Sequence, residues 1–484
     1  MAARTSAFTV EDALADLAQA ALGHKRRTDR LVDTARRISL QPGGSLPDKL
    51  HDTAAYRATL RLANHPNVTH DAVLQPHRRA TRARMAAAAG TVLIVHDSTD
   101  LDYSNQAALS AMGQIGNGGG KGYECHNSLA VAADSGDLLG LACQILHRRA
   151  DSPPGEGVRA RRARASRESR LWVNAVQAVG PAPEGCHWVD ICDRGADTFE
   201  FLEYEHKQGR HFVVRSTHSR ALTVEGDGPH LRHDLLRTLP AQLGWRVEVS
   251  ATAKQPARSA KVLCSWSPVT VKAPHVRKGE HGRDPLSLWA LRVWEVEAPA
   301  EVEEPLEWLL LTDEPVGDAA AARERVRWYE LRPKVEEFHK AQKTGLGIEQ
   351  LQLQSQAGLQ PLIALLSVLA VPLVNARQAA RSAERAERPA SEYFDPTWVL
   401  VLCAWRYQCY RELSVREFVL ALGPLGGHLN RKCDGLPGWL TLWRGLMKLS
   451  AMVEYEEARR AAGGTPRHST RLDQGKSRPS SGKL

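Results

Sequence analysis

Two stretches of this sequence read as buried strands, and each runs straight into an aspartate: Thr91-Val92-Leu93-Ile94-Val95-His96 before Asp97, and His187-Trp188-Val189-Asp190-Ile191-Cys192 before Asp193. Short, continuous, largely β-branched runs of this kind suit central strands covered on both faces. A carboxylate at the end of such a strand costs free energy unless it is paired or binds a cation. If the two strands are parallel neighbours, Asp97 and Asp193 emerge together at the sheet edge where α/β proteins build their sites. Two hard oxygen ligands suit Mg²⁺ or Mn²⁺ rather than zinc. The competing reading makes both aspartates helix caps or turn formers.

The surrounding pattern is mixed α/β. Strand-like runs follow at Ser128–Ala133 and Leu138–Ile145, a helical stretch at Ser166–Val179, a helix at Thr198–Lys207 and a strand at His211–Arg215. Residues 217–305 hold short alternating runs, such as Trp245-Arg246-Val247-Glu248-Val249, and read as a β-rich insertion. Trp308–Thr312 is again a core strand, followed by one long helix from about Ala319. Residues 1–88 and 359–462 read as helical, and the polar, basic tail 463–484 as disordered.

With 484 residues the chain exceeds one ordinary core, and 43% apolar composition excludes global disorder. The net charge of +9 favours a polyanionic partner, since phosphate contacts release counterions. Eight cysteines include no C-x2-C pair, which argues against a zinc ribbon or disulfide scaffold and for reduced thiols in a cytoplasmic protein. The first twenty residues mix acids into their apolar positions, unlike a signal peptide. The apolar run Leu362–Val374 is shorter than the about 20 residues a membrane span needs, and Pro372 interrupts it, so a buried core helix is expected and no membrane.

Basic residues cluster at Arg26, Arg27 and Arg30, and again at Arg78, Arg79, Arg82 and Arg84; either a solvated face or a phosphate-binding one accounts for each. A sharper pattern is Tyr329-x2-Arg332-x3-Glu336-x6-Lys343. On one continuous helix these four side chains fall within a ~60° sector, while Leu331, Val335 and Phe338 face elsewhere. Glu337 lies about 100° away, which favours Glu336 as the ligand. Pro333 removes a backbone donor and kinks or starts the helix, so the sector is better founded for Glu336 and Lys343 than for Tyr329 and Arg332.

These residues resemble the signature of the bacterial DDE transposases of the insertion-sequence-four family. The likeness also takes in LGHKRRTDRLV, HPNV, VHDST, DICDRGAD, HFVVRSTHSR, EWLLLTDEP and GLPGWLTLWRGL. It implies an RNase H-like catalytic core (89–358), a helical end-binding domain (1–88) and a helical dimerisation domain (359–462). It implies that Asp97, Asp193 and Glu336 hold two Mg²⁺ ions, with Mn²⁺ substituting, for cut-and-paste transposition through end nicking, hairpin formation and opening, and strand transfer. By the same likeness Arg215, Tyr329, Arg332, Lys340 and Lys343 contact DNA phosphates, and a flipped base stacks on Trp308. Arg26, Arg27 and Arg30 match the segment that recognises the element's terminal repeats, and two chains pair when transposon ends are bridged. Two alternatives are a catalytically inactive, transposase-derived DNA-binding inhibitor, and a nuclease of the same fold that cuts without joining. His126, Cys192 and His339 lie near the motifs without being required as ligands.

Overall fold

The first apolar run becomes β1 (Val92–Asp102), which continues past Asp97 instead of ending there. The cause is its antiparallel neighbour β3 (Lys121–Ala132), which pairs with it from Val92↔Ala132 to Asp102↔Gly122 and gives the later backbone groups partners. This strand also starts earlier than Ser128, because Lys121, Glu124 and Asn127 hide its beginning from a reading of apolar runs. These and the following details come from a computed structural model. It describes residues 8–461 except 42, 110–111, 151–154, 158–159, 161–163, 165–166, 224–230, 250–255, 276–280, 383–384 and 432–434; the tail 463–484 lies outside the described residues.

On its other side β1 pairs in parallel with β5 (Trp188–Cys192), and β5 in parallel with β6 (His211–Arg215). The strand β4 (Leu138–His147) lies antiparallel on β3. The resulting order β4-β3-β1-β5-β6 is compatible with an RNase H-like core. Beyond β6 the same sheet continues through β10 (Glu307–Thr312), β9 (Leu286–Val296), β8 (Arg258–Val271) and β7 (Leu243–Val249). The segment 217–305 thus extends the main sheet by three antiparallel strands. A two-residue strand, β2 (Gly113–Gln114), flanks the start of β3.

Helices cover both faces. Leu93, Val95, Val189, Ile191, Val213 and Leu310 point to one side, where they join Val326 of α9 (Ala319–Glu330), Val335 and Phe338 of α10 (Pro333–Lys340), and Leu366 of α11 (Gln356–Ala379). On the other side Val92 and Ile94 meet Ala175 and Val179 of α6 (Leu171–Val179), while Phe212 and Val214 meet Phe201 and Leu202 of α7 (Phe199–Lys207). The alternation along each strand is what period-2 side-chain geometry requires.

The helix α11 runs through both Pro361 and Pro372, so Pro372 does not interrupt it. It is long and apolar enough to span a membrane, but 83% of its apolar window is buried inside the protein. Asn375 shows why this is a core helix. Its amide accepts from Leu138 N and donates to Leu138 O and Phe8 O, tying the N-terminal segment, the sheet and α11 together.

The N-terminal helices are α1 (Val10–Leu17), α2 (Lys25–Leu40), α3 (Leu46–Leu50), α4 (Thr53–Ala63) and α5 (His70–Ala87). Thr69 caps α5 by accepting from Ala72 N, as its side chain suits. Three of the four arginines in the basic cluster on α5 are engaged by the fold. Arg78 donates to Ala142 O and Ala178 O, Arg82 to Val179 O and Pro181 O, and Arg84 to Leu139 O and Asp16. These three guanidinium groups fasten α5 to β4 and to the end of α6; Arg79 is exposed. At the other end of the chain, α12 (Pro396–Tyr407), α13 (Val415–Leu425) and α14 (Trp439–Ala461) join the same core through Val399, Phe418 and Leu449.

Candidate active site

The register of β1 on β5 sets the geometry. The last parallel pair is His96↔Cys192, so the next residue on each strand is an aspartate, Asp97 beside Asp193. Asp97 sits inside β1, and its backbone faces Asn127 of β3. Asp193 leaves β5 and accepts from Gly195 N at 2.9 Å, capping the turn Arg194–Ala196. A Cβ at Gly195 would meet the Trp172 ring at 2.3 Å, so only glycine lets this turn close over the indole.

Burial pushes the Asp97 carboxyl up to about 6; Arg332 opposes that shift, and the nearby charges of Asp193 and Glu336 add to it. Three carboxylates thus share one edge, near enough for Asp193 and Glu336 to oppose the ionisation of Asp97.

The helix that carries the third carboxylate is broken. Instead of one continuous helix from Ala319, α9 ends at Glu330 and α10 restarts at Pro333, which fits a proline at the first helical position. A wider turn over Ala341–Gly345 follows, so the common sector for Tyr329, Arg332, Glu336 and Lys343 does not survive as drawn. The break instead aims Arg332 inward. Its Nη2 donates to Asp97 Oδ2 at 2.9 Å and its Nη1 to Glu336 Oε1. Arg332 thus links the strand carboxylate to the helix carboxylate.

Glu336 is 46% exposed, and its partner is Arg332. Glu337 is committed to α11 through Arg377 at 2.6 Å and Arg381. Lys343 pairs with Glu349 at 3.2 Å, and Lys340 is exposed at the end of α10. Among the described residues, two groups have ligand atoms all within 4.8 Å, His187/His211/Glu314 and Glu124/His147/Glu168; the three carboxylates of the strand ends and α10 are not as close.

Beside Arg332 opens a cavity of about 540 Å³ lined by Arg215, Trp308, Tyr329 and Pro333. Trp308 is half-buried and meets the ring of Tyr329 edge-to-face at 5.6 Å. Burial pushes the Tyr329 hydroxyl above its ordinary range, with Arg215 and Arg332 opposing. Arg215 donates to Glu307 O at 3.1 Å. Two further arginines line the cavity, Arg246 of β7 and Arg323 of α9, the latter 4.7 Å over the ring of Trp245. Neither is singled out by the sequence: Arg246 lies in the alternating run Trp245–Val249, and no local pattern marks Arg323.

Beneath the carboxylates lies a buried polar layer. His96 Nε2 meets Asp190 Oδ1 at 2.8 Å, and Arg210 Nη2 meets Asp190 Oδ2 at 2.7 Å. Burial raises Asp190, but Arg210 and His96 outweigh it and hold the carboxyl below its usual range. Ser98 Oγ lies 3.0 Å from His126 Nδ1, and Asn127 Nδ2 lies 3.1 Å from His339 Nε2. Burial drives the pKa of both histidines down, that of His339 to about 3, so both are neutral. Cys192 is fully buried.

The basic residues of α2 divide. Arg26 is exposed at the first turn, Arg27 donates to Leu22 O at 2.7 Å, and Arg30 pairs with Asp33 at 2.7 Å. Residues 13–68, which contain all three, match the family model described as transposase DNA-binding. That match supports DNA as a partner of this chain, and a transposase as its class.

Proposed function

We propose that this chain is a cut-and-paste DNA transposase of the insertion-sequence-four family, similar to the Tn-five transposase, with Asp97, Asp193 and Glu336 as its catalytic carboxylates. The observation that carries this reading is the register His96↔Cys192, which sets two strand-end aspartates side by side, with Arg332 joining Asp97 to Glu336.

In this reading the three carboxylates hold two Mg²⁺ ions, or Mn²⁺ in their place. When bound, the ions activate water or a 3′-OH and stabilise the departing oxygen of an in-line displacement at phosphorus. Arg332 compensates Asp97 and Glu336, and with ions held by the carboxylates its guanidinium would be available to a phosphate oxygen. Arg215 and Tyr329 steady the DNA backbone near the scissile bond, and Lys340 at the end of α10 and Lys343 in the turn after it extend the positive surface. Trp308 stacks a base turned out of the duplex, which offsets part of the unstacking cost during hairpin formation. The α2 arginines read or position the terminal repeats, Arg26 being the one exposed at the first turn.

The remaining features follow the same reading. The division is an end-binding part at 1–88, a catalytic part at 89–358 and a dimerisation part at 359–462, in a cytoplasmic, nucleoid-associated protein. Two copies bridge two ends through the C-terminal helices, where Met447 and Tyr455 are exposed.

The test is a cleavage and strand-transfer assay, with and without Mg²⁺, on duplexes carrying the terminal repeats that flank the gene. Mg²⁺-dependent hairpins and joined products should vanish in Asp97→Ala, Asp193→Ala and Glu336→Ala, while end binding persists. Specific binding without cleavage in Mg²⁺ or Mn²⁺ would identify an inactive, inhibitory DNA-binding relative instead.

A further inference from the structure

At the sheet edge opposite Asp97 and Asp193, side chains from three strand ends converge. His187 immediately precedes β5, His211 is the first residue of β6, and Asp313 and Glu314 follow β10. The strand pairing brings them together: β5 and β6 run in parallel, so they start at the same edge, and antiparallel β10 ends there. Glu314 Oε1 lies 2.9 Å from His187 Nε2 and 2.9 Å from His211 Nδ1, and Asp313 Oδ2 lies 3.0 Å from His211 Nδ1.

Ligand atoms around a tetrahedral Zn²⁺, bound at about 2.0–2.1 Å, stand roughly 3.3 Å apart. These three contacts need to open by only a few tenths of an ångström, and the ligand atoms of His187, His211 and Glu314 all lie within 4.8 Å of one another. The donors are also held from behind, as ligands of a metal usually are. Thr91 Oγ1 meets His187 Nδ1 at 3.0 Å, Arg325 pairs with Glu314 Oε2 at 2.9 Å, and Phe212 N donates to Asp313 Oδ1 at 2.9 Å. Arg325 is itself buried against Trp328, with its guanidinium 4.4 Å over the ring. Two imidazoles with carboxylate oxygens suit Zn²⁺ and its borderline neighbours better than Mg²⁺.

We propose that His187, His211 and Glu314, with Asp313 as the fourth donor, form a structural site for a Zn²⁺-class cation that pins α9 to the sheet edge. Binding requires His211 and the two carboxylates to turn lone pairs to the ion, which releases any proton held between them. Its role is mechanical: through Glu314 and Arg325 it fixes the helix whose other end carries Tyr329 and leads into Arg332. The site stands apart from the three carboxylates of the opposite edge and does not depend on their assignment.

The experiment uses the full chain, stripped with chelator and held in excess Mg²⁺ so that hard-oxygen sites are occupied. Co²⁺ is then titrated while its visible absorption is followed, and Zn²⁺ is measured by competition and by metal analysis. The expected result is one Co²⁺ per chain with the intense band of a tetrahedral nitrogen–oxygen site, displaced by Zn²⁺. His187→Ala and His211→Gln should lose that band while their circular dichroism stays native. Thr91→Val, which keeps every ligand, should weaken Zn²⁺ by about 10- to 100-fold. Equal Co²⁺ binding in all three variants, or a thiolate charge-transfer band abolished by cysteine alkylation, would overturn the proposal. So would the absence of any band in the native chain, leaving the cluster as a proton-bridged ion pair.

Discussion

Two aspartates lie three positions apart in DICD and stand in different surroundings. Asp190 is 1% exposed within β5, between Arg210 and His96, whereas Asp193 is at the open edge. At 2.7 Å and an effective dielectric of about 20, the Arg210–Asp190 attraction is roughly 6 kcal/mol before desolvation is subtracted. Asp190→Ala leaves Arg210 buried with a weaker partner at 3.3 Å, Glu205, and leaves His96 Nε2 without its acceptor. Removing one member of such a buried pair costs about 3–5 kcal/mol.

In a cooperative unit of 150–250 residues, each kcal/mol moves the melting temperature by about 2–4 °C, so the expected fall is roughly 6–20 °C. Asp193→Ala loses only a cap on Gly195 N, about 1 kcal/mol, and should melt within a few degrees of the native chain. Thermal unfolding by circular dichroism, with end cleavage measured well below both transitions, separates the two roles. Asp190→Ala should be unstable yet retain some cleavage when cold; Asp193→Ala should be stable and inactive. If both variants melt together, the claim that the Asp190 network holds β5 in place is wrong.

Arg26→Ala should leave the melting temperature unchanged and reduce the salt dependence of end binding by about 0.9 in log–log slope, the signature of one lost phosphate contact. Arg27→Ala should instead lower thermal stability, because its guanidinium holds Leu22 O; the reverse pattern in melting and salt-titration data would exchange the two roles. Trp308→Ala should slow hairpin formation about 5- to 150-fold, matching a stacking contribution of roughly 1–3 kcal/mol, while the first nick proceeds at its native rate. Equal slowing of both steps on a time-resolved gel would place Trp308 in general DNA binding.

The His77 site predicts acid lability. Leu141 N donates to Nε2 at 2.9 Å and Nδ1 meets Asp16 at 2.8 Å, so the ring is neutral, and burial lowers its pKa below 6.5. A depressed folded-state pKa means stability present above 6.5 and lost as pH falls through the folded value. His77→Asn should start less stable and show a shallower fall between pH 7 and 5 in melting curves; an unchanged slope would assign the acid lability to other histidines.

Short-range patterns in the chain are legible without its fold. The runs before Asp97 and Asp193 are apolar enough that they had to be interior strands, and Thr69 caps α5 because its hydroxyl needs only the three residues that follow. Hydrophobic period and capping are short-range properties, so they survive without tertiary information. The destinations of charged side chains do not. Arg78 finds its carbonyl acceptor 100 positions away, and Arg332 its carboxylate 235 positions away. Nothing near these arginines distinguishes them from Arg26, which stays in solvent.

The same holds for the interrupted helix at Pro333, where one continuous wheel gave way to a break that turns Arg332 inward. Composition and spacing determined which residue types were at hand and roughly where the strands lay. Only the tertiary structure decided that His96 pairs with Cys192, because register is set by packing of both sheet faces at once. That one pairing is what brings Asp97 and Asp193 to the same edge.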